Sequence, residues 1–388
     1  MNKVKILAVG IGGYAYGYLS QLLKVENPDF EIAGMVDVAP ERSLCYADLV
    51  ERGVPLYPSM EAFYAVDSAD LAIITTPIHF HTPQILCALN HGSNVMCEKP
   101  LSGVSADEEI IIKAMEQTGK FVIIGYQWSY TNAILDLKAD ISAGLYGAPE
   151  MLKSRVFWPR PKEYYQRGSG WGGKIHAPNG AIINDSVVSN ATSHYLHNML
   201  YVTGGANDKS SEVKELDCTL LRVNHIENFD TATVKFTLAN GAKGLFVVSH
   251  STKENIDPVF EYRFEKGIVT YDGPGQGIVG RLDDGSCKVY GDPNMESGAK
   301  KVFDAIAGCR DPEYVPVCGP RAAAEQVRCV EKIQTHPILP VRKEQIKEQE
   351  KNDAHYLYVE ALDELLNRCY EQEILLKDCP ELEGLVEV

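Results

Sequence analysis

Several things are scarce or missing in this sequence, and each absence narrows what the chain does. The ten cysteines, at positions 45, 87, 97, 218, 287, 309, 318, 329, 369 and 379, form no CxxC pair. There is no small secreted framework to staple, so they are expected as reduced thiols, most of them filling core space. No run approaches the roughly 18 uninterrupted apolar residues that a membrane-spanning helix needs. The opening MNKVKILAVGIGGYAYGYL is interrupted by glycines at 10, 12, 13 and 17, and it is read as a strand and turn rather than a secretion signal. Basic residues are few: 37 Lys plus Arg stand against 53 Asp plus Glu, a formal charge of -16. Nucleic acid and anionic membrane surfaces are therefore poor partners. Internal repeats and low-complexity stretches are also missing, and a cytoplasmic protein is expected.

What is present is an ordinary globular composition, 45% apolar and 23% charged, over 388 residues. That length exceeds what one core usually fills, so at least two domains are expected. In the first third, short apolar runs alternate with helical segments. The runs are Val4–Val9, Glu31–Val36, Asp70–Thr75, Asn94–Cys97 and Phe121–Ile124, and the alternation predicts a parallel, doubly wound sheet.

Between the first run and its helix lies Gly10-x-Gly12-x-x-Ala15. The first glycine suits a tight turn, the second lets the backbone approach a pyrophosphate, and a small third residue allows helix and strand to pack. Asp37 ends the second run, 25 residues beyond Gly12, where a carboxylate accepts hydrogen bonds from ribose hydroxyls and repels a 2′-phosphate. NAD is thus favoured over NADP, with Arg42 a counterweight. In such sheets the ligand lies beyond the carboxyl ends of the strands. The residues there are Gly12, Asp37, Thr76, Pro77, Glu98, Lys99 and Tyr126.

GIGGYA, Asp37, TTPIHFHTPQILCALNHGSNVMCEKPLSG, GYQW and the later VCGPRAAAEQVRCVEKI together resemble the Gfo/Idh/MocA oxidoreductases. The resemblance implies an N-terminal Rossmann domain over 1–126 and an α/β domain over 127–343 with a large open, mainly antiparallel sheet that often forms the oligomer interface. Residues 344–388 form a further extension, with a charged amphipathic helix expected around Asp353 to Tyr370. A homodimer or homotetramer is expected. The implied chemistry is NAD(P)-dependent oxidation or reduction of a sugar, polyol or related carbinol, with Lys99 touching both substrate and nicotinamide. Cofactor contacts are expected from Gly10, Gly12, Gly13, Tyr14, Ala15, Asp37, Arg42, Thr76, Pro77, His81, Glu98, Lys99 and Gln127. Ile78 replaces an asparagine common after the TP pair.

The family's later D-x-G-x-H-x-x-D motif matches Asn190-Ala-Thr-Ser-His194-Tyr-Leu-His197. Here Asn190 and His197 stand where acids are usual. A helix is expected, with Leu196, Met199 and Leu200 toward the core and Asn190, His194, His197 and Tyr201 on the opposite side. His194 suits a catalytic base because imidazole titrates near working pH. Asn190 hydrogen-bonds but holds no charge. HxxH without a clear third ligand does not make a metal site.

Lys153 to Lys174 carries six basic residues and one acid, and with Trp128 it includes all three tryptophans of the chain. Flat aromatic faces and arginine forks suit a sugar or an acidic sugar. Tyr126, Trp128, Arg160, Tyr164, Arg167 and Trp171 join Lys99, Asn190, His194 and His197 as expected substrate contacts, under a glycine-rich covering loop. Beside net oxidation, two readings stay open: a redox-neutral NAD-dependent glycosidase that forms a keto-sugar transiently, and a non-enzymatic NAD or sugar sensor.

Overall fold

The computed structural model describes residues 3–166 and 170–387. The chain divides into two compact units, Met1–Thr131 with Glu296–Ala324, and Asn132–Met295 with Glu325–Val388. The return of residues 296–324 to the first unit follows from no motif in the linear sequence.

In the first unit six strands pair in parallel: β1 (Val4–Val9), β2 (Phe30–Val36), β3 (Leu56–Tyr57), β4 (Leu71–Ile74), β5 (Asn94–Cys97) and β6 (Val122–Ile124). Their order is β3-β2-β1-β4-β5-β6. The two-residue β3 is an addition to the expected strands; it is too short to show a period. β4 and β5 are buried throughout, as strands covered on both faces must be. The order reverses between β1 and β4, which opens a crevice at the carboxyl ends of those strands.

In the second unit β7 (Pro149–Phe157), β8 (Val213–Arg222), β9 (Thr231–Leu238), β10 (Lys243–Ser249), β11 (Ile256–Phe264), β12 (Gly267–Tyr271), β13 (Ile278–Leu282), β14 (Cys287–Gly291) and β15 (Ile338–Pro340) form one sheet. Its order is β14-β13-β12-β11-β7-β10-β9-β8-β15. Most neighbours are antiparallel, with β7–β10 and β8–β15 parallel.

The C-terminal segment departs from expectation. Residues 353–361 are not helical: β16 (Ile346–Lys351) and β17 (Ala354–Val359) form a hairpin, and the helix begins only at Leu362 and runs to Gln372. The two loop residues, Asn352 and Asp353, both have positive φ, 53° and 60°. That is the twist a two-residue hairpin favours, and Asn and Asp tolerate it. Leu357 and Val359 alternate with period two, so they belong to a strand face. Leu357, Val359, Leu362, Leu365, Leu366, Cys369 and Leu382 pack with Met151, Phe157, Leu221, Leu245 and Val247 of the large sheet. This segment therefore covers an apolar part of the sheet from within the same chain. Among the described residues no helix is long and apolar enough to cross a membrane.

Candidate active site

In the first unit the glycine turn, Asp37 and Thr76 follow the carboxyl ends of β1, β2 and β4. Gly10 has φ +77°, and a Cβ there would stand 3.1 Å from the Thr75 carbonyl carbon and the Thr76 nitrogen. Only glycine lets β1 turn this close to the end of β4. Gly13 has φ +53° and opens the short turn Gly13–Ala15, in which the Ala15 N–H donates to the Gly12 carbonyl at 3.1 Å. Ala15 is fully buried, the small residue that helix–strand packing requires. Asp37 accepts from the Ile11 N–H at 2.8 Å through Oδ2 and from the Ala39 N–H at 2.8 Å through Oδ1. A carboxylate has about four lone-pair sites, so capacity remains for ribose hydroxyls. A Cβ on Gly12 would lie 4.0 Å from Asp37 Oδ2, so the side-chain-free face of the turn adjoins this acid. These residues fit a dinucleotide. Arg42 is exposed in the turn after β2.

Lys99 is half-buried between buried Glu98 and Pro100, and the Lys99–Pro100 peptide is cis. His81 is not at the crevice surface; it is 1% exposed. Its Nδ1 lies 2.8 Å from the Pro100 carbonyl and its Nε2 2.9 Å from the Thr76 carbonyl. It therefore ties the β4 loop to the loop that carries Lys99. Burial holds its imidazole below the ordinary range, against the pull of the carbonyls. Thr76 donates to Gln84 Oε1 at 2.5 Å, and Ile78, in the place of the family asparagine, is buried. Gln127 accepts from the Tyr14 hydroxyl at 2.8 Å, which links the glycine turn to the end of β6. Tyr126 and Trp128, expected as substrate contacts, are 1% and 3% exposed, and burial pushes the Tyr126 phenol well up. Lys301 belongs to the same corner and went unrecognised in the sequence. It sits in an ordinary amphipathic helix, Lys300–Gly308, with no motif around it.

In the second unit the helix expected from Asn190 begins at Ser193 and ends at Val202. Asn190 lies in the turn before it and accepts from the Ser193 hydroxyl through its carbonyl at 2.7 Å. The shared-face argument thus fails for Asn190. It also fails for His197 and Tyr201, because every residue of this helix except His194 is buried. His197 is 1% exposed and stacks on Tyr201, ring centroids 5.3 Å apart. Burial first, then the nearby Lys138 ammonium, holds its imidazole well below the ordinary range. This is the setting of a neutral core histidine rather than of a substrate contact.

A stability consequence follows. His197 resists protonation in the fold, while the unfolded chain takes up a proton there near the ordinary histidine value of about 6.5. Above that pH both states are neutral and nothing is gained; below it stability falls, by up to about 1.4 kcal/mol per pH unit. Urea unfolding at pH 7 and about pH 5.5 is expected to show this loss. A His197→Phe variant, which keeps a stacked ring, should lose less stability over the same interval. An unchanged slope would refute the assignment.

Asn190 donates from Nδ2 to Asp185 Oδ1 at 2.7 Å, and Asp185 Oδ2 accepts from the Gly173 N–H at 2.6 Å. Asp185, 3% exposed, thereby joins the glycine-rich loop to the segment before His194. In the aromatic loop the Arg160 guanidinium lies 5.4 Å from the Trp158 ring and 5.1 Å from the Tyr164 ring. Trp171 is half-buried; Arg167 lies outside the described residues. Tyr165 and His250 were not expected. The Tyr165 hydroxyl is 3.2 Å from His250 Nδ1, and burial pushes the phenol well up. The two are 85 positions apart, a separation that no local pattern marks.

Residues 4–126 match the profile described as "Oxidoreductase family, NAD-binding Rossmann fold", that of Gfo/Idh/MocA. This stretch is thus similar to the NAD-binding domain of the Gfo/Idh/MocA oxidoreductases. The matched profile is that of an NAD-binding domain. The chain is 28% identical over 150 residues to the inositol 2-dehydrogenase of Salmonella typhimurium, a match covering 38% of this chain and 44% of that protein. It is 24% identical over 288 residues to the D-apiose dehydrogenase of Rhizobium rhizogenes, covering 74% and 75% of the two chains. The fold resembles the WlbA dehydrogenase of Bordetella pertussis, solved with NADH and UDP-GlcNAcA. That likeness has a TM-score of 0.69 at 22% identity, over 86% of this chain and 96% of that one. The fold, a Rossmann sheet and a large mixed sheet, is thus shared with that dehydrogenase.

Proposed function

We propose that this protein is an NAD-dependent oxidoreductase of the Gfo/Idh/MocA type acting on a secondary hydroxyl of a sugar, glycoside or sugar-derived polyol. The observation that carries the reading is half-buried Lys99, held at the end of β5 in the crevice that also contains the glycine turn and Asp37. The inositol and apiose dehydrogenases among its relatives support a polyhydroxylated substrate. NAD supplies the hydride acceptor when bound. Lys99 holds the carbinol oxygen and stabilises the negative charge that grows on it. His194, the one residue of its helix that is not buried, accepts the hydroxyl proton. Asn190 has no charge to give; its Nδ2 donates to Asp185, and its amide serves the site through hydrogen bonds alone. Arg160, Tyr164 and Trp171 supply the ring faces and the guanidinium fork for the rest of the sugar.

The redox-neutral glycosidase reading is favoured by the Tyr165–His250 hydrogen bond, a second acid–base pair in the substrate unit. Such a pair suits the extra proton transfer that elimination of an aglycone demands. Turnover of a panel of polyols and glycosides, with NADH and leaving-group release followed in parallel, tests both readings.

A further inference from the structure

Lys301 is a buried cation that the proposed chemistry does not use. Its side chain is 2% exposed, whereas neighbouring Lys300 is 35% exposed and pairs with Glu296. Lysine is rarely buried so deeply without a strong partner. Here the ammonium donates to Glu98 Oε1 and to the Gly125 carbonyl at 3.0 Å, and lies 5.0 Å from the centre of the Tyr14 ring. Glu98 is 5% exposed, and its other oxygen faces the Lys99 N–H at 3.3 Å. Gly125 makes room for this arrangement, since a Cβ there would stand 2.9 Å from Glu98 Oε1.

The charges around Glu98 give this geometry a function. Burial pulls the Lys301 ammonium down, but the Glu98 carboxylate and then Tyr14 outweigh it, so Lys301 stays charged. Other titratable groups that feel Glu98 are Tyr14, Tyr18, Cys97, Tyr126 and His81. Burial holds all of them toward their neutral forms. None of them offsets the carboxylate. Without Lys301 the nearest cation in sequence is Lys99 itself. A buried carboxylate that loses its partner is strongly disfavoured, so Glu98 would draw on the Lys99 ammonium.

We infer that Lys301 is a positioning residue: by neutralising Glu98 and fastening it to Gly125 and Tyr14, it keeps the charge of Lys99 directed at the substrate oxygen. This rests on the reading of Lys99 as the residue that holds that oxygen.

The test is a titration of Lys99 in the intact chain, by NMR of protein carrying ¹³C-methylated lysines, with the Lys99 signal assigned by its loss in Lys99→Arg. Three variants are compared with the wild type: Lys301→Met, Glu98→Gln and the double variant. Removing the cation should move the Lys99 midpoint up, removing the anion should move it down, and the double variant should return close to the wild type. The kcat should fall at least tenfold in Lys301→Met and be partly restored in the double variant, with NADH affinity measured alongside because Glu98 is itself an expected cofactor contact. Should Lys301→Met fail to fold, the downward shift in Glu98→Gln and its reversal in the double variant carry the same information. One midpoint shared by all four proteins would overturn the inference. Shifts as expected, with kcat indifferent to them, would instead overturn the role given to Lys99.

Discussion

Lys99→Ala is expected to lower kcat by about 100- to 1,000-fold, the usual effect of removing one charged donor from a growing oxyanion. NADH affinity should change little, because the glycine turn and Asp37 lie on other strand ends of the first unit. Lys99→Arg should recover only part of the rate, since a guanidinium is a wide planar fork where an ammonium is a compact point charge. Stopped-flow turnover together with a fluorescence titration of NADH separates these effects. Loss of rate with an intact NADH affinity is the expected result. Equal losses in both would mean that Lys99 seats the cofactor rather than acting on the carbinol.

His194→Gln is expected to cost about 100- to 10,000-fold in kcat/KM, the range for a positioned base. It should also remove the acidic limb of the pH profile, which in the wild type reflects an imidazole that must be neutral to accept a proton. A structural role for His194 would lower stability and leave the limb in place. The comparison is informative here because Asn190 cannot serve as a substitute base. Asp185, five positions before Asn190, is 3% exposed and accepts from the Asn190 amide and the Gly173 N–H, so its burial sets it apart from an accessible base.

Much of the first unit was legible in the sequence because its constraints are local. The turn at Gly10 needs a positive φ, the strand ends carry their polar residues within one or two positions, and buried parallel strands read as apolar runs. Lys99 stands out for the same reason. His81 is marked by its motif as a cofactor contact, but its surroundings are not: only the folded chain buries it and brings the Pro100 and Thr76 carbonyls to its two ring nitrogens.

The second unit was harder to read. Helical spacing marked His194 and His197 alike, yet tertiary packing leaves the first half-buried and buries the second against Tyr201. Lys301, Tyr165 and His250 meet partners 203 and 85 positions away, a separation that leaves no periodic trace. The C-terminal hairpin was missed although its signal was present: Asn352-Asp353 before an alternating run is a turn and a strand, and an amphipathic helix was expected across it.

The central claim is net transfer of hydride from a carbohydrate carbinol to NAD. Its most direct measurement is the stoichiometry of NADH formed against carbinol consumed, with a panel of inositols, aldoses and aryl glycosides. The account predicts one NADH for each hydroxyl oxidised, and a ketone as the product. Release of an aglycone with no accumulation of NADH would contradict it in favour of the redox-neutral reaction, and saturable NAD binding without turnover of any member of the panel would contradict both.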